Sequence, residues 1–224
     1  MDSYRWFALS FADMDVDICR LISRIDEDGE QWASCSQIDS TRFAGAYFKR
    51  VMLSVGRADP SGSVSNQVVE TVISLNFTLL VKDNEFILRV SDNKRLAGSF
   101  ISWLMRYAGF GFSAHPAEIV KLVGREVEYF AELDALKMVA LKVSGVAVAH
   151  NIVGRMEFVS KYGMKIDEIK AIPKNDFTVS MVRYEMTRSG VTGIMAVHST
   201  GRVSVSGMLA PWIIDYVEKN LLVR

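Results

Sequence analysis

Residues 69–81 read VETVISLNFTLLV and carry the clearest strand signal in the chain. Every second residue, from Val69 to Val81, falls on one face, and that face is apolar except for Thr71. The intervening positions are mainly polar, with Glu70 and Asn76 among them. Alternation of this length is typical of a β-strand that buries one side against a core. We therefore predict a long strand with one buried face.

A turn, a second strand and a helix are predicted directly after this strand. The Asp-Asn pair at 83–84 tolerates the positive φ of a tight turn, so residues 85–91 should return as the second arm of a hairpin. Residues 94–108 then place large apolar side chains at helical spacing, with Asp92 or Asn93 available as the N-cap. These signals together predict the order strand, turn, strand, helix.

The C-terminal end of the sequence repeats this order. Residues 192–198 are predicted to form a strand, residues 200–201 a turn, and residues 202–207 a second strand. A helix is expected from about Ala210, with Pro211 at a tolerated first-turn position. Two blocks with the same order, one near the end of each half, indicate an internal duplication.

The remaining segments complete two similar repeats. The further predictions are strands near 4–11, 43–55, 143–158 and 177–188, short helices over 15–25 and 165–172, and helical connectors over 116–124 and 126–133. A helix over 143–158 is an open alternative. The shared order in each repeat is strand, helix, three strands, helix.

These elements predict an α+β protein made of two tandem repeats. The predicted boundaries are 1–112 for the first repeat, 113–135 for a helical connector and 136–224 for the second repeat. Two antiparallel sheets must either join edge to edge or cover their edges. Joined edges would give a pseudo-twofold, saddle-shaped sheet with helices on one face. The bare concave face is then where a ligand would bind.

Composition limits the function classes that fit the chain. Its 224 residues include 26 Lys or Arg and 26 Asp or Glu, and no basic tail is present. A non-specific nucleic-acid binder is usually basic, so any binding charge should be local. Cys19 and Cys35 provide no disulfide framework, which favours a reducing compartment. Without a membrane-length apolar run or the features of a signal peptide, we expect an intracellular protein with no membrane partner, nuclear if eukaryotic.

Four short motifs, in order along both halves, point to a known family. They are Arg42–Tyr47 (RFAGAY), Lys94–Ala97 (KRLA), His150–Gly154 (HNIVG) and Val197–Gly207 (VHSTGRVSVSG). The motifs resemble those of the TATA-box-binding protein family, and the duplicated framework resembles its architecture. The resemblance covers nearly the whole chain in architecture and about a fifth of it in motifs.

The resemblance implies a concave sheet that lies on the minor groove of double-stranded, A·T-rich DNA. In that family phenylalanine side chains wedge between base steps and kink the duplex. Asn and Val or Thr side chains read the groove, and basic side chains hold phosphates. The implied DNA-binding residues are Phe43, Val81, Phe177 and His198 as wedges, Asn151 and Val153 as groove readers, and Arg42, Lys49, Arg183 and Arg202 as basic contacts. General transcription factors or other protein subunits are the further partners that the resemblance implies.

The sequence offers little for catalysis. It has three histidines, no Gly-rich phosphate loop, no nucleophile elbow and no metal-spaced cluster. We therefore expect a protein that is not an enzyme and that uses no cofactor or metal, although an enzyme using scattered Asp and Glu residues is an alternative. The favoured function is a divergent TATA-box-binding-protein-like DNA-binding factor in transcription initiation. The alternative is a non-catalytic protein-interaction scaffold in a larger complex. It is suggested by the neutral charge, by Glu85 as the first-half counterpart of Arg202, and by the wedge positions that are not aromatic.

Overall fold

The chain folds into two compact units of the α+β class, each built on a mostly antiparallel sheet with few helices. The computed structural model describes residues 1–11, 18–23, 29–58, 60, 62, 64–82, 85–91, 93–120, 122–123, 125–149, 152–169 and 177–223. We call Phe7–His115 the N-terminal unit, and Met1–Trp6 together with Pro116–Arg224 the C-terminal unit. The first strand, β1 (Asp2–Ser10), contributes its opening residues to the C-terminal unit and its last residues to the N-terminal unit.

The N-terminal unit contains the predicted hairpin and helix. Its further elements are α1 (Ile18–Ile22), β2 (Gln31–Gln37), β3 (Arg42–Ala58), β4 (Val64–Lys82), β5 (Glu85–Ser91), α2 (Lys94–Ala108) and β6 (Ser113–Pro116). The strand order is β2-β3-β4-β5-β1, and β6 also pairs with β1. The prediction of a long strand, a returning strand and a helix is confirmed by β4, β5 and α2. The predicted turn at 83–84 lies outside the described residues.

Aromatic rings form the centre of the N-terminal core. Phe100 and Trp103 of α2 lie with ring centroids 5.0 and 5.8 Å from the ring of Tyr47 on β3, and Phe100 lies 4.9 Å from Phe77 on β4. The alternation of β4 places Leu75, Phe77 and Leu79 on this face. At the start of α2, Asn93 Oδ1 accepts a hydrogen bond from the Leu96 amide (3.3 Å), so Asn93 is the N-cap.

The C-terminal unit holds the longer part of the chain. Its elements are β7 (Glu118–Ile119), α3 (Glu126–Tyr129), β8 (Ala135–Ala149), β9 (Ile152–Met164), a 3₁₀ turn (Ile166–Glu168), β10 (Thr178–Arg188), β11 (Val191–His198), β12 (Arg202–Gly207), α4 (Ala210–Tyr216), a π-helical turn (Val217–Leu221) and β13 (Leu222–Val223). The strand order is β1-β12-β11-β10-β8-β9, while β13 pairs with β7. The predicted C-terminal strand–turn–strand–helix block is confirmed by β11, β12 and α4.

The C-terminal core combines aliphatic side chains with two buried polar contacts. Met195 on β11 lies directly opposite Tyr184 on β10, and both are fully buried. The Tyr184 hydroxyl donates to Glu126 of α3 at 3.0 Å, and Trp6 Nε1 donates to Glu218 at 3.2 Å. A buried polar group needs such a partner, because its lost contact with water is otherwise uncompensated.

Several predicted elements differ from the structure. The helix predicted over 116–124 is wrong, because β7 forms there by pairing with β13 at the distant C-terminus. Only Glu126–Tyr129 of the helix predicted over 126–133 is helical. The helical alternative for 143–158 is also wrong, since β8 and β9 form an extended hairpin there. The strand β2 was missed because QWASCSQ is small and polar and has no apolar alternation.

The two short helices predicted at 15–25 and 165–172 are each shorter in the structure. Within the first segment α1 covers Ile18–Ile22, and within the second the 3₁₀ turn covers Ile166–Glu168. Residues 12–17, 24–28 and 170–176 lie outside the described part of the chain.

Candidate nucleic-acid interface

The sheet of the C-terminal unit has one face that packs on helices and an opposite face that carries arginines. Glu126 of α3 contacts Tyr184, and Leu209 and Ile213 around the start of α4 lie within 3.2 Å of a Cβ placed at Gly193. Tyr184 and Gly193 therefore define the helix-packed face. We call the opposite face the basic face. Its strand residues include Ser3, Arg5, Ala140, Lys142, Met181, Arg183, Ala196, His198, Arg202 and Ser204, and the acidic residues Glu157 and Glu185 lie on it as well.

The pairing of the strands places these residues side by side. In antiparallel strands, residues directly opposite each other share one face. Arg183 on β10 lies opposite Ala196 on β11, which lies opposite Ser204 on β12, which lies opposite Ser3 on β1. The Ser3 and Ser204 hydroxyls are 2.7 Å apart, which confirms that they face the same side.

Two arginines lie directly opposite each other at one side of this face. Arg5 on β1 pairs in register with Arg202 on β12. Like charges in directly opposite positions destabilise a sheet unless an anion compensates them. Arg202 Nη2 also lies 2.7 Å from His198 Nε2 and 3.3 Å from His198 Nδ1. Since a guanidinium only donates, a ring nitrogen of His198 is the acceptor of this bond.

The side chain of Arg183 has one N–H donor for which the described residues provide no acceptor. Its Nε is buried, and no acceptor among the residues that the structure describes lies within hydrogen-bond distance. The residue as a whole is only partly buried. A buried donor without an acceptor costs about 1–3 kcal/mol, so a ligand that accepts here would remove a penalty. A guanidinium carries five donors, and carboxylate or phosphate oxygens match its fork geometry.

Small side chains form the floor beside these arginines. Ala140, Met181 and Ala196 make a small buried cluster on this face. Ala140, Met181, Ala196 and Ser204 are each at most 5% exposed, so longer side chains cover this floor. A ligand would therefore meet those longer side chains, the arginines among them, before the sheet itself.

Acidic residues near the basic face are engaged by lysines. Lys142 Nζ lies 3.0 Å from Glu157, and Lys137 Nζ lies 3.7 Å from Glu185. All four side chains are about half exposed, so these pairs contribute little stability. Each of these two carboxylates therefore has a lysine as its ion-pair partner.

The predicted contacts of the N-terminal unit lie mostly on its core side. Phe43 pairs in register with Leu79, and Val81 pairs with Phe86; all four side chains share the face covered by α2. Phe43 and Val81 would have to leave this core to wedge between bases. Lys49 also lies on this side, with Nζ 3.5 Å from Ser99 Oγ of α2.

Arg42 and the predicted contacts of the C-terminal unit are spread more widely. Arg42 lies opposite Leu80, on the face of the N-terminal sheet away from α2, and is partly buried. Val153 is 73% exposed at the start of β9. Phe177 directly precedes β10 and is partly buried, and Asn151 lies outside the described residues. Of the ten predicted residues, the structure brings together Arg183, His198 and Arg202.

Two cationic residues of the basic face, Arg5 and Lys142, were not predicted. Arg5 lies in a segment that was read as a strand, and its alternation with Tyr4 and Trp6 would have assigned it to the polar side. Lys142 lies in β8, where its alternation with Leu141 and Val143 gives the same assignment. Their neighbours on the face come from other strands, so the single-strand pattern indicates the side but not the site.

The corresponding face of the N-terminal unit is built differently. Trp32 on β2 stacks on Phe48 on β3, with ring centroids 5.4 Å apart and planes at 15°. Arg89 Nη2 donates to Thr78 Oγ1 at 2.9 Å, and Arg50 forms a 3.0 Å ion pair with Glu70. We call this the small-residue face, because Ser34, Ser36, Ala44, Ala46 and Asn76 lie on it, together with Arg42 and Leu80.

No protein-family model matches this chain, and no curated protein sequence matches it either. The relationship to the TATA-box-binding protein family therefore stays a prediction from the residues. None of the helices in the described ranges is long and apolar enough to cross a membrane.

Proposed function

We propose that this protein binds double-stranded DNA, and that phosphate contacts from the basic face of the C-terminal unit provide most of the affinity. The observation that carries the proposal is the arginine cluster. Arg5 and Arg202 are directly opposed, and Arg183 nearby has a buried Nε that no described residue accepts from. A phosphate oxygen would accept from the Arg183 Nε and remove the cost of leaving that donor buried without an acceptor.

A phosphate ligand fits this face better than a carboxylate side chain does. Strands lie about 4.8 Å apart and successive same-face residues about 6.8 Å apart, so the Cα atoms of Arg183 and Arg202 are roughly 12 Å apart. Three long side chains over such a span suit a row of charges, which a nucleic-acid backbone presents at regular spacing. The neutral net charge of the chain is compatible with this, because only the contacting face needs to be positive.

The DNA-binding mode differs from the one that the resemblance implies. Phe43 and Val81 contribute to the N-terminal core, so we propose no wedge from that unit. Three further properties stay predictions of the resemblance. They are groove readout by Asn151 and Val153, a preference for A·T-rich DNA and a role in transcription initiation. Phosphate contact alone would give affinity with little sequence preference.

The test is a salt series of fluorescence-anisotropy titrations with A·T-rich and G·C-rich duplexes of equal length. Three arginine–phosphate contacts give a slope of log K against log salt of about −3. In Arg183→Ala we expect about tenfold weaker binding to both duplexes and a slope less steep by about one. Arg50→Ala is the matched control, because it removes one arginine charge from an exposed ion pair in the N-terminal unit. An absence of binding at low salt, or equal losses in the two variants, would contradict the proposal.

A second candidate function, a protein-interaction scaffold, is favoured by an exposed apolar ribbon. β2 pairs with β3 only as far as Lys49, and β5 pairs with β4 only from Phe77. Beyond those points β3 and β4 pair with each other in a two-stranded ribbon, on which Met52 is 68% and Val68 63% exposed. Exposed apolar surface of this kind marks many interaction sites. A stoichiometric complex that survives nuclease and is unchanged by Arg183→Ala would support this candidate over DNA binding.

A further inference from the structure

The two cysteines of the chain, 16 positions apart in sequence, lie almost in contact in the N-terminal unit. Cys19 is on α1 and Cys35 is on β2, and their Sγ atoms are 3.4 Å apart. Both are thiols in the structure, and both are partly buried. We propose that Cys19 and Cys35 are a reversible oxidation site, which closes to an intramolecular disulfide when a small-molecule disulfide of the glutathione type is present.

Packing and hydrogen bonds hold α1 against β2 at this point. Leu21 and Ile22 of α1 are buried, and Ile22 belongs to the main core of the unit. The Ser23 amide donates to the Cys19 carbonyl at 2.8 Å, and Ser23 Oγ accepts from the Cys35 amide at 3.1 Å. One serine therefore connects the backbones of the two cysteines.

The backbone of β2 is fixed from its other side as well. Cys35 lies opposite Gly45 on β3. A Cβ at Gly45 would lie 2.1 Å from the Ser34 carbonyl oxygen and 2.4 Å from the Phe77 ring, so the strands approach as closely as glycine allows. A disulfide bond is about 2 Å long. Closing the gap from 3.4 Å requires side-chain rotation and a small backbone adjustment, with no rearrangement of the fold.

The oxidation proceeds by two exchange steps that balance without any further reactant. One cysteine thiolate attacks the small-molecule disulfide, forms a mixed disulfide and releases one small thiolate. The second cysteine loses its proton to solvent and attacks the protein sulfur of the mixed disulfide. This step forms the Cys19–Cys35 bond and releases the second small thiolate. The protein loses two electrons and two protons, and the small disulfide is reduced to two thiols.

Proximity makes the second step fast compared with attack by a second small molecule. The neighbouring thiol is already within van der Waals distance, so its effective concentration far exceeds that of dissolved glutathione. The chain contains no other cysteine, so an intramolecular disulfide can form in only one way. Partial exposure of both side chains lets the small disulfide reach them.

The experiment exposes the full-length protein to glutathione disulfide over a series of ratios to reduced glutathione and measures intact mass. We expect the loss of two hydrogen atoms, with the internal disulfide exceeding the mixed disulfide by roughly tenfold or more. A non-reducing peptide map should join the peptides that contain Cys19 and Cys35, and dithiothreitol should restore both thiols. Cys19→Ser and Cys35→Ser should each accumulate the mixed disulfide instead.

Three results would overturn the proposal. These are a wild-type protein that keeps both thiols, one that accumulates glutathione adducts without the internal bond, and one that forms disulfide-linked dimers. Because the wild-type measurement decides the question alone, poor folding of a serine variant does not prevent a decision.

Discussion

The two units use the face opposite their helices in different ways. In the N-terminal unit that face is covered by small residues and the stacked Trp32–Phe48 pair, and Arg89 and Arg50 have acceptors in Thr78 and Glu70. In the C-terminal unit Arg183 has a buried donor with no described acceptor. The buried Nε of Arg183 therefore distinguishes this face of the C-terminal unit, although the chain as a whole has no net charge. This difference is why the proposed DNA contact lies in the C-terminal unit.

The cores behind these faces also differ. Four rings in contact make the centre of the N-terminal core, contributed by Tyr47, Phe77, Phe100 and Trp103. The C-terminal core depends more on aliphatic and methionine side chains and on the buried Tyr184–Glu126 bond. Aromatic packing resists rearrangement after truncation, whereas flexible side chains can fill part of a cavity. The following predictions test this contrast.

The largest effect is expected from truncating the aromatic core. Trp103→Ala removes a fully buried indole that contacts Tyr47, Phe100 and Tyr107, and should lower the free energy of unfolding by about 3–5 kcal/mol. Met195→Ala in the C-terminal core should cost less, about 2–3 kcal/mol, because its neighbours can move into the space. Urea unfolding followed by far-ultraviolet circular dichroism measures both. A larger loss in Met195→Ala would show that the contrast between the cores is wrong.

The next largest loss of stability is expected from adding a methyl group at a glycine on the helix-packed face of each unit. Gly45→Ala should cost about 3 kcal/mol, because its Cβ meets a backbone oxygen at 2.1 Å and the Phe77 ring at 2.4 Å. Gly193→Ala should cost about 1–2 kcal/mol, because the closest atoms there belong to the side chains of Leu209 (2.7 Å) and Ile213 (3.2 Å). Thermal melting of the two variants measures the difference.

A third glycine provides the control for that pair. Gly98 lies in α2 with no atom within 4 Å of an added Cβ. Gly98→Ala should therefore stabilise the protein by about 0.5–1 kcal/mol through helix propensity. Equal changes in all three alanine variants would mean that steric contact does not decide the outcome.

The smallest destabilisation is expected from removing a tyrosine hydroxyl in each unit. Tyr184→Phe removes the 3.0 Å hydrogen bond to Glu126 and should cost about 1–2 kcal/mol at neutral pH. Tyr47→Phe removes the corresponding bond to Gln31 in the N-terminal unit, where the acceptor is uncharged, and should cost about 1 kcal/mol. Urea titrations of the three proteins measure these losses. A loss in Tyr47→Phe at least as large as in Tyr184→Phe would contradict the comparison.

The stability that the Tyr184 hydroxyl contributes should decrease at high pH. Burial, and then the Glu126 carboxylate, raise the pKa of Tyr184 above its ordinary value near 10. The native state therefore favours the protonated hydroxyl more than the unfolded chain does. That contribution is complete below about pH 10 and is lost as the pH rises toward the folded-state pKa. The difference in unfolding free energy between wild type and Tyr184→Phe should thus stay constant up to about pH 9 and decrease between about pH 10 and pH 11 in urea titrations; a difference that stays constant over the whole range would contradict this assignment.

Local sequence patterns predicted much of the secondary structure, but they predicted only part of the candidate site. Alternation over 69–81 predicted β4, and the repeated order at the C-terminus predicted β11, β12 and α4. The resemblance named Arg183, His198 and Arg202, which do share one face. It also named Val81, which belongs to the same alternating set as Leu79 and therefore packs with it on the helix-covered side.

Elements that depend on distant partners could not be read from local pattern. β7 was predicted as helix because nothing in its own residues shows that β13 pairs with it. The small, polar strand β2 is stabilised by its pairing with β3, and that pairing also brings Cys35 to α1 and Cys19. Local propensity is a weak guide in such segments, since tertiary contacts provide most of the free energy that holds them.

Periodicity in the sequence by itself determined which side of each long strand is apolar, because alternate residues of an extended chain point to opposite sides. Only the tertiary structure decided which strands became neighbours. Arg5 and Arg202 come from opposite ends of the chain, and the hydrogen-bonded register of β1 with β12 places them face to face. Register between distant strands is set by the whole pattern of buried side chains, so no local stretch of sequence contains it.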